Sequence, residues 1–374
     1  MKKTIKSKAL NFLCALKFKI IVFVCVVLYV VLLFHATLST FRTEDKIPTI
    51  KTIGLSMQKE FQNIAAKVRA GIFIKNFPTF DFTNNRFVVD ALVWFEFNKH
   101  QIMRETIDKF SFQNGEILEC ADPVVHVYDD KVLALYNVLF QTKTDLDFSR
   151  FPLEDHRVSI VLTNEEVSPS EMYFDDRSKW SSLVLSDRVF ISNWVVHNKN
   201  ILLGYKELDY DQFNTQRKVQ NPTIVFSIDF KKVGIKNVLI IFVPIFAAVF
   251  LALFIFLMSF NNYIGKITLA VTSITALLGY RFVIQKMMPV IGYLTITDAL
   301  YLFFLFFVLA IFVFQALLVR QYMFLMEKDK LARRERAEAD VVEFKPRDTE
   351  LMNTGAYYGA VLIFVAVVTF IVLR

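Results

Sequence analysis

Apolar residues are distributed along this chain in two ways, as long runs and as strict alternation. The runs are Ile20–Phe34, Val238–Met258, the stretch 266–285, about Ala299–Val319 (broken only by Gln315) and Tyr357–Leu373. Crossing a bilayer takes roughly 20 apolar residues, so the last four predict membrane helices, at about 238–259, 264–286, 296–319 and 356–373. The first run is shorter and follows Lys2, Lys3, Lys6, Lys8, Lys17 and Lys19 with no acid among them. That pattern fits either a cleaved secretory signal or an uncleaved anchor over 19–38.

Between the first and second runs the pattern alternates. In 86–98, Phe87, Val89, Ala91, Val93, Phe95 and Phe97 share one face, and Asp90, Trp94, Glu96 and Asn98 share the other. In 223–230, Ile224, Phe226, Ile228 and Phe230 oppose Thr223, Ser227 and Asp229, and 157–162 repeats the pattern with Val158, Ile160 and Leu162. Period-two alternation with one apolar side predicts antiparallel sheets packed face to face, enough for a sandwich of about ten strands. Helical periodicity is confined to 54–70. The expected fold class is therefore an α+β membrane protein: an antiparallel β-sandwich followed by a four-helix bundle, with an extra hydrophobic helix at the N-terminus.

The third run raises a sharper question. Taking about 100° per residue, Ile264, Thr272, Thr275, Gly279, Phe282 and Lys286 all fall within about 40° of Thr268. Hydroxyls and a glycine on one stripe suit two purposes: a seam between packed membrane helices, or a wall facing ions, whose hydration hydroxyls can replace in part. Lys266 falls about 160° from the stripe, which points it toward protein or the inner interface.

Composition narrows the classes. Of 374 residues, 55 % are hydrophobic and 21 % charged, which is too apolar for an ordinary soluble protein. The net charge of +7 sits in blocks that flank the apolar runs, so it reads as membrane topology and not as nucleic-acid binding. Basic residues before the first run place the basic N-terminus, 1–18, in the cytoplasm. Residues 48–235 then lie outside. The linker 320–354, with Arg320, Lys328, Lys330, Arg333, Arg334, Arg336, Lys345 and Arg347, returns inside. Both blocks agree on an inner-membrane protein with a large extracellular or periplasmic domain. "MEKDKLARRERAEAD" pairs opposite charges at helical spacing, as a solvated continuation of the fourth helix or a polar loop would. Cys14, Cys25 and Cys120 give no disulfide framework. The five histidines are scattered, no nucleophile elbow or phosphate loop occurs, and an enzyme is not expected. Asp129–Asp130, Glu165–Glu166 and Asp175–Asp176 read as polar turns, with Ca²⁺ at a strand end as the alternative. No cofactor or metal is expected.

One stretch carries a family resemblance. "DFSRFPLEDHRVSI", 147–160, resembles the inter-strand loop of the pentameric ligand-gated ion channels, the Cys-loop receptor superfamily, whose pattern is roughly D-x-x-x-F-P-F-D-x-Q. Asp147, Phe151 and Pro152 match; Leu153, Glu154 and His156 stand where Phe, Asp and Gln are usual, and the flanking cysteines are absent, as in bacterial members. Pro244 sits in the first channel helix, as a proline does in the family. "YLTITDA", 293–299, resembles the start of the family's third channel helix. The resemblance covers about 48–374 and excludes the first run.

The resemblance implies a homopentamer whose domain 236–374 forms the pore. The stripe Ile264, Thr268, Thr272, Thr275, Gly279, Phe282 and Lys286 would line it. Coupling would run from Asp147, Phe151, Pro152 and Glu154 to the turn holding Pro289 and Tyr293. A small-molecule or proton agonist would act in the outer domain. Ligand-site candidates are Trp94, Glu96, Tyr173, Phe174, Tyr205 and Tyr210, with Glu207 as a further charge; ordinary strand packing is the alternative for each. Thr275 is polar where the family often has a bulky gate, and "NNYIGK" lacks the carboxylate ring usual in cation-selective members. With Lys286 at the outer mouth, the pore is expected to lean toward anions or discriminate weakly among permeant inorganic ions. The rival readings are a non-conducting sensor signalling through the basic 320–354 segment and a membrane-anchored enzyme.

Overall fold

Residues 86–98 form a strand, as their alternation predicts, and this strand lies inside the larger of two sheets. The computed structural model describes residues 15–53, 65–175, 182–209, 218–336 and 347–373. The chain divides into two units. One joins Met1–Thr40, Ser149–Leu153 and Ile235–Arg374; the other joins Phe41–Phe148 and Glu154–Gly234.

The second unit carries the strands. They are β1 (Ala66–Asp81), β2 (Arg86–Asn98), β3 (Phe110–Gln113), β4 (Gly115–Cys120), β5 (Val124–Tyr128), β6 (Lys131–Thr142), β7 (His156–Asn164), β8 (Met172–Phe174), β9 (Leu183–Leu185), β10 (Trp194–Asp209) and β11 (Lys218–Lys232). The seven-stranded sheet runs β4-β6-β2-β1-β8, with β5 also on β6 and β9 also on β1. The four-stranded sheet runs β10-β11-β7-β3. Both sheets contribute to one core. Phe87, Val89, Ala91, Val93, Phe95 and Phe97 meet Val158, Ile160, Leu162, Ile224, Phe226, Ile228 and Phe230 there.

One expectation needs correction. Ala66–Ala70, read as helical, begins β1; residues 54–64 lie outside the described residues. Thr223, Ser227 and Asp229, which oppose the apolar face of their strand, are buried as well. The reason is that β11 pairs with β10 on one side and β7 on the other, and the polar side chains find partners along it. Ser227 and Ser159 share a hydrogen bond of 3.1 Å, and Arg157 Nε donates to Asp229 Oδ1 at 2.6 Å. A buried hydroxyl or carboxylate is tolerated when it is paired in this way.

The first unit holds α1 (Leu16–Ser39), α2 (Lys236–Phe254), α3 (Tyr263–Met287), α4 (Ile296–Arg336) and α5 (Arg347–Leu373). Among the described residues five helices are long and apolar enough to cross a membrane, including the one near the N-terminus. The helix α4 continues 41 residues without a break, so "MEKDKLARRER" is helical as far as Arg336, and 337–346 lie outside the described residues. Gln315, the one polar break in the fourth apolar run, explains itself in the packing. Its Nε2 donates to Asn353 Oδ1 at 2.9 Å, and Asn353 Nδ2 donates to the Phe256 carbonyl at 2.9 Å. On its other side Gln315 Oε1 accepts from Lys266 Nζ at 3.4 Å. Lys266 is fully buried, with its ammonium 4.1 Å from the Phe260 ring centroid. It faces protein, as its angle off the stripe requires. In a medium without water, such polar atoms must be satisfied by one another.

Asn353→Leu would strand Gln315 Nε2 and the Phe256 carbonyl together. Thermal unfolding in detergent should show a loss of about 1–3 kcal/mol, and an unchanged midpoint would mean the network is not formed.

Candidate functional site

The candidate site in the helical unit is assembled on α3. This helix starts at the Asn262 cap, whose side chain accepts from the Gly265 backbone N–H at 3.2 Å. Its packed face is Lys266, Ala270, Ser273, Leu277 and Ile284. The whole predicted stripe, Ile264, Thr268, Thr272, Thr275, Gly279, Phe282 and Lys286, lies exposed. Phe282 is 70 % exposed, and a Cβ added at Gly279 would meet nothing within 4 Å. Within one chain the stripe is thus not a seam against its own neighbouring helices. Thr272 Oγ1 donates back to the Thr268 carbonyl at 2.9 Å and Thr275 Oγ1 to the Val271 carbonyl at 3.0 Å. Both hydroxyl protons are engaged, which leaves oxygen lone pairs facing the open side.

Two contacts fix α3 from behind. Pro244 has no N–H, so the Ile240 carbonyl four residues earlier loses its helical donor. Tyr280 of α3 donates its hydroxyl to that same carbonyl. Further along, Arg281 Nη1 meets Asp298 Oδ1 at 2.6 Å, with its guanidinium carbon 5.2 Å from the Tyr301 ring centroid. Asp298 sits in the first turn of α4. Its backbone N–H donates to Thr295 Oγ1 at 3.1 Å, while its Oδ2 accepts from the Thr295 backbone N–H at 3.1 Å. This reciprocal pairing is a capping box with aspartate in place of glutamate.

The loop Ser149–Leu153 meets the same turn. The Ile296 N–H donates to the Ser149 carbonyl at 2.8 Å, and Thr297 Oγ1 donates to the Phe151 carbonyl at 2.7 Å. Arg150 Nη2 donates to the Val372 carbonyl at the end of α5, at 3.4 Å. Phe151 and Pro152 are buried, joined by a cis peptide bond. These hydrogen bonds fall on Ile296 and Thr297, directly after the expected partner turn Pro289–Thr295, because the freed N–H and hydroxyl of a helix start are the donors that loop carbonyls need. Pro289 is buried and Tyr293 is exposed. Arg281, Asp298, Thr295, Thr297 and Tyr280 were not singled out from the sequence. The T-x-x-D spacing before an apolar run and an arginine inside one are the signals that point to them.

The other two expected coupling residues lie in the strand unit, around His156. Its Nδ1 donates to Asp45 Oδ2 at 3.0 Å, and its Nε2 lies 3.7 Å from Glu154 Oε1. Phe82 stacks on the ring at 4.6 Å, with Phe148 at 5.0 Å and Trp194 at 5.6 Å. Asp45 also accepts from the backbone N–H groups of Asp147 at 2.6 Å and Arg157 at 2.7 Å. Next to it, Asp155 accepts from the backbone N–H of Arg42 and of Lys232, both at 2.8 Å. Burial works against charge on His156, yet the bonds to Asp45 and Glu154 outweigh it and hold the ring protonated, with its pKa raised to about 9. Burial raises the Asp155 carboxyl, and the Lys232 and Arg42 backbone bonds oppose that.

The expected ligand-site residues lie on different strands, Trp94 and Glu96 on β2, Tyr173 and Phe174 on β8, and Tyr205 and Glu207 on β10. Tyr173 and Phe174 were read as turn residues; they form β8, pair in parallel with Lys67 and Val68 of β1, and are buried. Trp94 lies over Gly71, its cross-strand partner, where a Cβ would come within 2.5 Å of the indole. Glu96 is paired with both Arg69 at 3.3 Å and Lys131 at 3.0 Å. Tyr205 is buried on the other sheet, in β10, where it exchanges backbone bonds of 2.9 Å with Lys51. Glu207 is held by Lys51 at 2.6 Å. Tyr210 lies outside the described residues. Among the described residues no group of three His, Cys, Asp or Glu side chains could hold a metal.

No protein-family model matches the chain, and no curated protein matches it either.

Two measurements check this geometry. Tyr280→Phe should cost about 1–3 kcal/mol by stranding the Ile240 carbonyl. In the Pro244→Ala background the restored backbone N–H serves that carbonyl, and the same change should cost little; additivity of the two would refute the pairing. For His156, the folded pKa lies above the ordinary value of about 6.5, so its stabilisation is full below about pH 6.5 and is lost as pH rises through about 9. The loss should be of the order of 3 kcal/mol in the parent and absent in His156→Gln, read from unfolding midpoints across that pH range.

Proposed function

We propose that this chain is one subunit of a pentameric ligand-gated ion channel of the Cys-loop type without the loop disulfide. The observation that carries the reading is the exposed stripe on α3. A membrane helix that leaves Thr268, Thr272, Thr275 and Gly279 uncovered, while packing its other side, needs a polar surrounding on that stripe. Five copies around one axis would supply it as a water-filled pore. In this reading the two sheets form an extracellular or periplasmic sandwich, α2 to α5 form the four-helix pore domain in the inner membrane, and a small-molecule agonist or proton acts on the sandwich.

The coupling route follows from contacts within the helical unit. The loop Ser149–Leu153 hands its carbonyls to Ile296 and Thr297, and Asp298 in the same turn grips Arg281 of α3. A displacement of the loop would reach α3 through one helical turn and one ion pair. Tyr280 and the Ile240 carbonyl supply the second hold that α3 would have to rotate against.

A non-conducting sensor is favoured by one observation, the continuation of α4 as far as Arg336 with alternating charges. Both readings share the membrane helices; they differ in current.

Purified protein in a planar bilayer separates them. The channel reading expects unitary currents and fivefold rings in detergent; a silent protein that forms monomers or dimers overturns it. Lys286, on the stripe near the end of α3, should bias permeation toward anions. In a salt gradient, Lys286→Glu should move the reversal potential toward the cation value.

A further inference from the structure

The run Ile20–Phe34 was open to two readings, leader or anchor, and the contacts of α1 separate them. Lys19, Phe23, Val26, Val30, Leu33 and Thr37 recur at steps of four and three, the spacing of a helix–helix seam. Lys19, Val26, Val30, Leu33, Phe34 and Thr37 are buried. The opposite side is exposed and mainly apolar, with Ile21, Val24, Leu28, Val31 and Leu32 between Lys17 and His35.

The seam is specific at both ends. At one end Lys19 Nζ donates to Thr354 Oγ1 at 2.9 Å, and the Tyr357 hydroxyl donates to the Lys19 carbonyl at 2.8 Å. Toward the other end Tyr29 and Thr369 share a hydroxyl hydrogen bond of 2.6 Å. Partners on α5 advance with residues on α1, so the two helices run parallel, with polar contacts some 20 Å apart along α5. Between them α1 packs aromatic rings on α2: Phe34 lies 4.8 Å from Phe242 and 5.6 Å from Phe246, and Phe23 lies 5.5 Å from Phe250.

We propose that α1 is retained in the folded protein as a resident fifth membrane helix, seated in the groove between α2 and α5. A leader needs only bulk hydrophobicity, whereas this helix has a buried lysine, a tyrosine and a period matched to polar groups of α5. Without α1 the Tyr357 hydroxyl would lose its acceptor, whereas Thr354 and Thr369 would keep only their bonds to the Glu350 and Val365 carbonyls of their own helix. The inference does not rest on the channel reading, and a protein that passes no current would leave it standing.

The test uses the full chain with a C-terminal tag and a protease site inserted between Thr40 and Phe41, the junction of the two units. The intact mass should include residues 16–39. After cutting, verified on a denaturing gel, the fragment ending at Thr40 should co-elute with the remainder in mild detergent. Combining Lys19→Ala with Tyr29→Phe should speed its release about tenfold, as the loss of two hydrogen bonds implies. A mature chain starting between residues 37 and 45 overturns the proposal. So does a fragment that leaves at once, or one whose release the double substitution does not change.

Discussion

The carboxylate of Asp298 is the point on which the helical unit turns. It closes the first turn of α4 through Thr295 and holds Arg281 of α3 through its other oxygen. The residues beside it, Ile296 and Thr297, receive the carbonyls of the 149–153 loop. A charge inside an apolar span is tolerated when it is paired and hydrogen-bonded, and breaking such a pair by removing one partner is more costly than never having built it. The arrangement therefore resists piecemeal change. Cap, ion pair and loop contact share one turn of helix, and a shift of any one must be accommodated by the other two.

The same accounting runs through the remainder of the unit. Two polar interruptions of apolar runs show assigned partners: Gln315 serves Asn353 and Lys266, and Tyr280 serves the carbonyl that Pro244 leaves open. These are not defects in otherwise uniform spans. They fix which helix faces which, a task that dispersion between similar apolar surfaces performs poorly. The strand unit uses a comparable device at its His156 centre, where Asp45 and Asp155 bind backbone N–H groups from distant segments, and so stitch the stretch from Arg42 to Asp45 onto the start of β7 and the end of β11.

Much of this was legible in the residues. The 86–98 alternation, the long apolar runs and the off-stripe angle of Lys266 depend on local periodicity, which the sequence displays directly. What escaped reading depends on partners far along the chain. The burial of Ser227 and Asp229 depends on Ser159 and Arg157 of β7, some seventy positions earlier. Tyr173 and Phe174 look like turn aromatics because β8 is three residues long and joins β1 in parallel, too short to show alternation. Glu96 looks available until Arg69 and Lys131 arrive from neighbouring strands. His156 was noted for the residue it replaces, yet its chemistry comes from Asp45, more than a hundred positions away. Arg281 and Asp298 could have been paired by asking which acid might answer a basic residue inside an apolar run.

The length of α4 has a mechanical consequence. Its 41 residues rise about 60 Å, roughly twice the thickness of a hydrocarbon layer. The 149–153 loop grips the helix by its first two residues, at one extreme of that rod. A rigid rod held there works as a lever: tilting it by about 5° would carry the far end sideways by about 5 Å. The charged end of α4 would then amplify a movement too small to see at the fulcrum.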